Sequence, residues 1–135
     1  MRKSIVTKSI KETQDFGRKL AKEIAAGGIV CFFGDLGAGK TTLIQGIAKG
    51  LGIKKRLISP TFVIRRDYDR VHHIDLYRPD DVAGLGLEEL WEDPRNILLI
   101  EWPEKILLRL PRRRMEIHLK MVSDNEREIT YETLP

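Results

Sequence analysis

The stretch Gly34-Asp35-Leu36-Gly37-Ala38-Gly39-Lys40-Thr41-Thr42 constrains this chain more than any other. It fits the pattern G-x-x-x-x-G-K-[ST], which acquires meaning only between a strand and a helix. Both flanks are present. Ile29-Val30-Cys31-Phe32-Phe33 is a short apolar, partly β-branched run of the kind that forms a buried strand. After the loop, Leu43, Ile44, Ile47, Ala48 and Leu51 recur at helical spacing, and Gly50 and Gly52 supply stop signals.

The residue types explain one another chemically. Glycines let the backbone turn sharply and bring bare N–H groups against an anion. A helix that opens near Lys40 adds its unpaired N–H groups and the positive end of its dipole. In this motif the lysine reaches the β- and γ-phosphates of a nucleotide, and the following hydroxyl, here Thr41, ligates Mg²⁺. The plainer alternative is an ordinary glycine-rich turn, which does not call for Lys40 and Thr41 at these positions. The stretch therefore implies a nucleoside triphosphate.

The 135 residues suit one domain, 1–135, with an adequate core and little room for a second module. A hydrophobic fraction of 41% and a charged fraction of 33% fit a soluble globular protein. No apolar run is long enough for a bilayer, so no membrane association is expected. The lone cysteine, Cys31, leaves no internal disulfide to form and fits a reducing, cytoplasmic setting. Its place in the apolar run marks it as a small core residue. The net charge of +4 is compatible with RNA or an acidic partner without requiring either.

Taken in order, the chain opens with Ser9 and Glu12 at capping-box spacing, followed by Phe16, Leu20 and Ile24 on one helical face up to Gly27-Gly28. Lys54-Lys55-Arg56 is a basic cluster with no interleaved aromatics, best taken as a solvated loop. In Ser59-Pro60-Thr61-Phe62, Pro60 favours an extended Ser59, so Thr61 enters a strand. Such a threonine either senses the γ-phosphate and Mg²⁺, as in switch proteins, or is simply a β-branched strand residue; the two stand even. Residues 62–68 and 71–76 predict strands joined tightly at Asp69-Arg70, an antiparallel hairpin. His72 and His73 are adjacent, so on a regular strand they point to opposite faces and cannot chelate one metal together; a structural role is expected for both. Asp75, at that strand's carboxyl end, lies where α/β folds hold their ligands.

Pro79-Asp80-Asp81 opens a loop, and Leu85, Leu87, Leu90 and Trp91 predict a short helix. Ile97-Leu98-Leu99-Ile100-Glu101 has the form of a buried strand that delivers an acid to the nucleotide, and Pro103 ends it. Arg112-Arg113-Arg114 is a basic turn whose default state is solvated. Alternation over 115–121 and 127–133 around Ser123-Asp124-Asn125 predicts a closing hairpin. The expected fold is α/β, a P-loop NTPase-like three-layer α/β/α arrangement whose mixed sheet includes antiparallel hairpins.

Four blocks occur in one order: the loop 34–42, Ser59-Pro60-Thr61-Phe62, His73-Ile74-Asp75-Leu76-Tyr77-Arg78 and Glu101-Trp102-Pro103-Glu104. Together they resemble the TsaE family, the small ATPase of bacterial tRNA threonylcarbamoyladenosine synthesis. The resemblance runs from Glu12-Thr13 to the closing hairpin. It implies a Mg²⁺-dependent ATPase, slow alone, that acts with the TsaB and TsaD proteins and meets tRNA only indirectly or weakly. By the same resemblance Gly37, Ala38, Gly39, Lys40, Thr41 and Thr42 hold ATP or ADP, and Thr41 and Glu101 hold Mg²⁺. Asp75 and Thr61 join Glu101 in the catalytic surroundings, and Ile10 touches the base. Trp102 belongs to the pattern, either beside the nucleotide or toward a partner.

Other classes fit less well. A GTPase would carry an Asn-Lys-x-Asp segment to read guanine and a glycine at the usual switch spacing after Asp75, and neither is present. A small nucleotide kinase needs an acceptor pocket and a lid, for which no segment is left over. A nucleotide-gated interaction module overlaps with the favoured class and stays open beside it.

Overall fold

The computed structural model describes residues 2–35, 37–54, 65–77 and 85–135. Leu36, Lys55 and Arg56, the block Ser59-Pro60-Thr61-Phe62, the first part of the strand expected from Phe62, Arg78 and the loop at Pro79-Asp80-Asp81 lie outside the described residues.

The apolar runs become the middle of a seven-stranded sheet. Strands β2 (Gly28–Phe33) and β5 (Ile97–Glu101) pair in parallel, with Gly28 opposite Ile97 and Phe32 opposite Glu101. Every residue of β5 is buried, as expected of a strand covered on both faces. Strand β4 (Val71–Asp75) pairs in parallel with β5 on one side, and β6 (Met115–Met121) pairs in parallel with β2 on the other. The outer strands run antiparallel. Strand β3 (Arg65–Tyr68) folds back on β4 through Asp69-Arg70, and β7 (Arg127–Thr133) folds back on β6. Strand β1 (Lys3–Thr7), which the sequence pattern did not announce, pairs antiparallel with β7. The order across the sheet is β1-β7-β6-β2-β5-β4-β3.

Because side chains alternate along a strand, β2 and β5 feed two cores at once. Val30, Phe32, Ile97 and Leu99 pack with Leu20, Ile24, Leu43, Ile44 and Ile47 of helices α1 (Ile10–Ile24) and α2 (Lys40–Gly50). Ile29, Cys31, Leu98 and Ile100 meet Leu87 and Ile106 on the opposite face. These last belong to the short helix α3 (Leu87–Glu92) and a 3₁₀ turn (Pro103–Ile106). The sheet is thus sandwiched between layers, and the expected three-layer α/β/α arrangement with a mixed sheet is what forms.

The helix ends obey local rules. Ser9 caps α1 by accepting from the Glu12 amide at 3.0 Å. The returning arm differs from a regular capping box: Glu12 Oε1 accepts from the Lys8 amide rather than from that of Ser9. α1 ends at Ile24, and the Gly27 amide donates to the Ile24 carbonyl.

Candidate functional site

The carboxyl ends of β2, β4 and β5 converge on the start of α2. The chain leaves β2 through Gly34, at φ 150°, where a Cβ would come within 2.7 Å of the Leu119 carbonyl of β6. Only glycine fits that close approach, which sets the loop against the sheet. α2 then starts at Lys40 behind Gly39, which offers no side-chain cap, and its first turn carries no acid. Its opening amides therefore have no side-chain cap, and the helix dipole makes this end a favourable place for an anion.

Lys40 is only 5% exposed. Its Nζ donates to the Gly34 carbonyl at 2.6 Å and lies 3.6 Å from the centroid of the Trp102 ring, a cation–π contact. Trp102 reaches this position from a left-handed backbone conformation (φ 57°), directly after Glu101 and directly before the 3₁₀ turn. Its ring also packs against Tyr77 at 4.8 Å. Burial lowers the Lys40 pKa, while the nearby carboxylates of Glu101, Glu104, Asp75 and Asp35 pull the other way.

Parallel pairing of β4 and β5 sets Asp75 opposite Glu101 in register. Asp75 sits at intermediate exposure and accepts from the Tyr77 amide at 3.0 Å. Burial raises its pKa against that hydrogen bond, and the neighbouring Glu101 raises it further. Glu101 is 4% exposed and accepts at Oε2 from His73 Nε2 at 2.7 Å. Sequence reasoning gave His73 a structural role only. Its link to Glu101 comes from the pairing of strands distant in the chain, which no local spacing announces.

A second neighbourhood lies at the other side of the loop. Ser9, Ile10 and Thr13 of α1, Gly39 and Thr42, and Asp124, Asn125 and Arg127 from the last hairpin line a cleft of about 110 Å³. Ile10 is 70% exposed there, so an apolar side chain is held open beside the loop. Arg127, which sequence reasoning missed, packs over Gly39 and donates to the carbonyls of Ser123, Asp124 and Glu126. A larger cleft of about 470 Å³ opens at the amino-terminal edge of the sheet beside Trp91, Arg113 and Met115, and contains no loop residue.

Of the residues singled out from sequence, Gly39 and Thr42 meet Ile10 in one cleft, and Lys40 meets Trp102 beside Glu101 and Asp75. Ala38 is buried, and its amide donates to the Asp35 carbonyl. Gly37 is exposed and Thr41 occupies the second position of α2. Thr61 lies outside the described residues. The hydroxyl of Thr41 and the carboxylate of Glu101 are hard oxygen donors that suit a small divalent cation. Among the described residues no group of three or more His, Cys, Asp or Glu side chains can hold a metal unaided.

Comparison with known proteins decides the family. The model of "Threonylcarbamoyl adenosine biosynthesis protein TsaE" matches residues 7–129. This chain belongs to the TsaE family. A TsaE described as a tRNA threonylcarbamoyladenosine biosynthesis protein in Bacillus subtilis is 39% identical over 126 residues, covering 90% of this chain and 79% of the relative. Its counterpart in Treponema pallidum is 33% identical over 131 residues, covering 93% of this chain and 96% of the relative. The crystal structure of Bacillus subtilis YdiB superposes with a TM-score of 0.86 at 32% identity, covering 100% of this chain and 87% of that one. That likeness extends over the whole of this chain. No helix among the described residues is long and apolar enough to cross a membrane.

Proposed function

We propose that this chain binds ATP with Mg²⁺ at residues 34–42 and hydrolyses it slowly by itself. We assign it to the formation of N6-threonylcarbamoyladenosine in tRNA, in the cytoplasm, together with the TsaB and TsaD proteins. The observation that carries the reading is the convergence of Lys40, Asp75 and Glu101 at the carboxyl edge of the sheet, against an uncapped helix start.

In this reading the α2 amides and Lys40 bind the phosphates, and Lys40 exchanges the Gly34 carbonyl and the Trp102 ring for phosphate oxygens. Thr41 and Glu101 would hold Mg²⁺ through their hard oxygen donors. Held there, it would supply charge neutralisation for the phosphoryl group. Asp75, opposite Glu101 at the same strand ends, orients the attacking water. Ile10 and the cleft beside Arg127 receive the base. For Thr61 the family resemblance alone supports a role as sensor of the γ-phosphate. The relatives' names supply the pathway.

The test is reconstitution. Purified TsaB and TsaD homologues, tRNA and threonylcarbamoyl donor should modify tRNA over repeated rounds only when this chain and ATP are present. Lys40→Ala should stop repeated rounds. Undiminished multi-turnover modification in the absence of this chain sinks the reading.

A further inference from the structure

His73 is completely buried, and only one of its ring nitrogens is satisfied. Nε2 lies 2.7 Å from Glu101 Oε2. Toward an ionised carboxylate, which can only accept, Nε2 is the donor, and Nδ1 is the ring nitrogen left unsatisfied. Among the described residues Nδ1 has no hydrogen-bond partner. Arg66, directly across the β3–β4 pair from His73, has an unpartnered Nε as well. A buried polar atom without a partner is a liability that a leucine at this position would avoid. The side chain is thus not explained by packing, and its single bond is directed at Glu101.

Register explains why the bond is available. β4 and β5 are parallel with His73 opposite Leu99 and Asp75 opposite Glu101. All four side chains therefore face the helices α1 and α2, and His73 reaches diagonally to the carboxylate at the end of the neighbouring strand. With Oε2 engaged, the carboxylate cannot rotate freely. Among the described residues no hydrogen bond occupies Oε1.

We infer that His73 is a positioning residue: it fixes the rotation of the Glu101 carboxylate so that one oxygen is held in place and the other is presented to the divalent cation. The inference rests on the assignment of Glu101 as a cation ligand made above. Partners of this kind, hydrogen-bonded to a metal-ligating group, change metal affinity by about ten- to a hundredfold when removed.

The experiment is calorimetric titration of the full chain with a non-hydrolysable ATP analogue, in Mg²⁺ and in chelator. The ratio of the two affinities isolates the cation's share, which a merely structural residue would not change selectively. His73→Leu should shrink that ratio about tenfold or more and leave the affinity in chelator unchanged. His73→Gln places an amide nitrogen near the position of Nε2 and should keep most of the ratio. His73→Asn reaches only the position of Nδ1 and should lose it. A folded His73→Leu chain with the wild-type ratio overturns the inference, as does equal behaviour of the Gln and Asn variants. If the Leu variant does not fold, the Gln and Asn pair decides by the same criterion. Glu101→Gln separates the two levels of the reading. A wild-type ratio there removes Glu101 as ligand and the inference with it. A ratio collapsed by Glu101→Gln but untouched by His73→Leu removes the role of His73 alone.

Discussion

Lys40 and Asp75 are both held in environments that disfavour their charge. Burial lowers the pKa of the lysine and raises that of the aspartate. Lys40 meets a carbonyl and an aromatic face where a phosphate would serve it better. Replacing it by alanine should weaken ATP binding by about ten- to a hundredfold, since a hydrogen bond to a charged group is worth about 1.5–3 kcal/mol. Calorimetry checks this, and unchanged affinity would contradict the assignment of the loop. Asp75 carries a consequence for stability with a definite sign. Its folded pKa lies above the ordinary 3.8, so the folded chain binds this proton more tightly than the unfolded chain. Ionisation of Asp75 therefore costs stability at pH values above its folded pKa, and the cost disappears as pH falls below 3.8. Asp75→Asn should raise the melting temperature of the ligand-free chain at pH 7, with a gain that narrows as the pH approaches 3.8, while hydrolysis falls. Melting curves across that pH range test it; a lower melting temperature at pH 7 would show that Asp75 is stabilised rather than strained.

The two long helices meet backbone to backbone. A Cβ on Gly46 of α2 would lie 2.3 Å from the Gln14 carbonyl oxygen of α1, and one on Gly17 would lie 2.7 Å from the Leu43 carbonyl oxygen. Since backbone cannot yield as a side chain tip does, Gly46→Ala must push the helices apart. We expect a loss of about 1–3 kcal/mol, the usual cost of overpacking. Because α2 begins at Lys40 and α1 begins at Ile10, the same variant should also loosen nucleotide binding. Denaturant titration together with calorimetry measures both; wild-type stability would mean that the helices can separate freely. At this level the sequence was legible where burial leaves a pattern. Apolar runs announced β2 and β5, alternation announced β6 and β7, and the Ser9 cap located the start of α1. Strand β1 was not legible because Ser4, Ile5 and Val6 are all exposed and only Thr7 is buried, so no alternation marks it. The acids were legible at strand ends. The bond from His73 to Glu101 and the contact of Trp102 with Lys40 were not, because both depend on pairing and on a left-handed turn rather than on neighbours in the chain.

Across the whole molecule, the two edges of the sheet have different characters. The carboxyl edge gathers the loop, Asp75, Glu101 and Trp102, while the amino edge carries the cleft beside Trp91 and Arg113. In the reconstituted system, Asp75→Ala and Glu101→Ala should each abolish most ATP turnover while leaving the circular dichroism spectrum of the chain intact. Wild-type turnover by both, with the partner proteins present, would remove the site from this edge. Cys31 sits between these edges in β2, wholly buried, its thiol pushed up to about 12 by burial. A thiol so protonated and enclosed does not react from the folded state. Its modification by a small disulfide reagent therefore requires β2 to be exposed by an opening that reaches the centre of the sheet. The chain consequently carries its own chemical clock for deep unfolding. A cysteine introduced on the surface could be labelled beside it without first deleting Cys31, and the delayed second reaction would time how often the centre of the sheet comes apart.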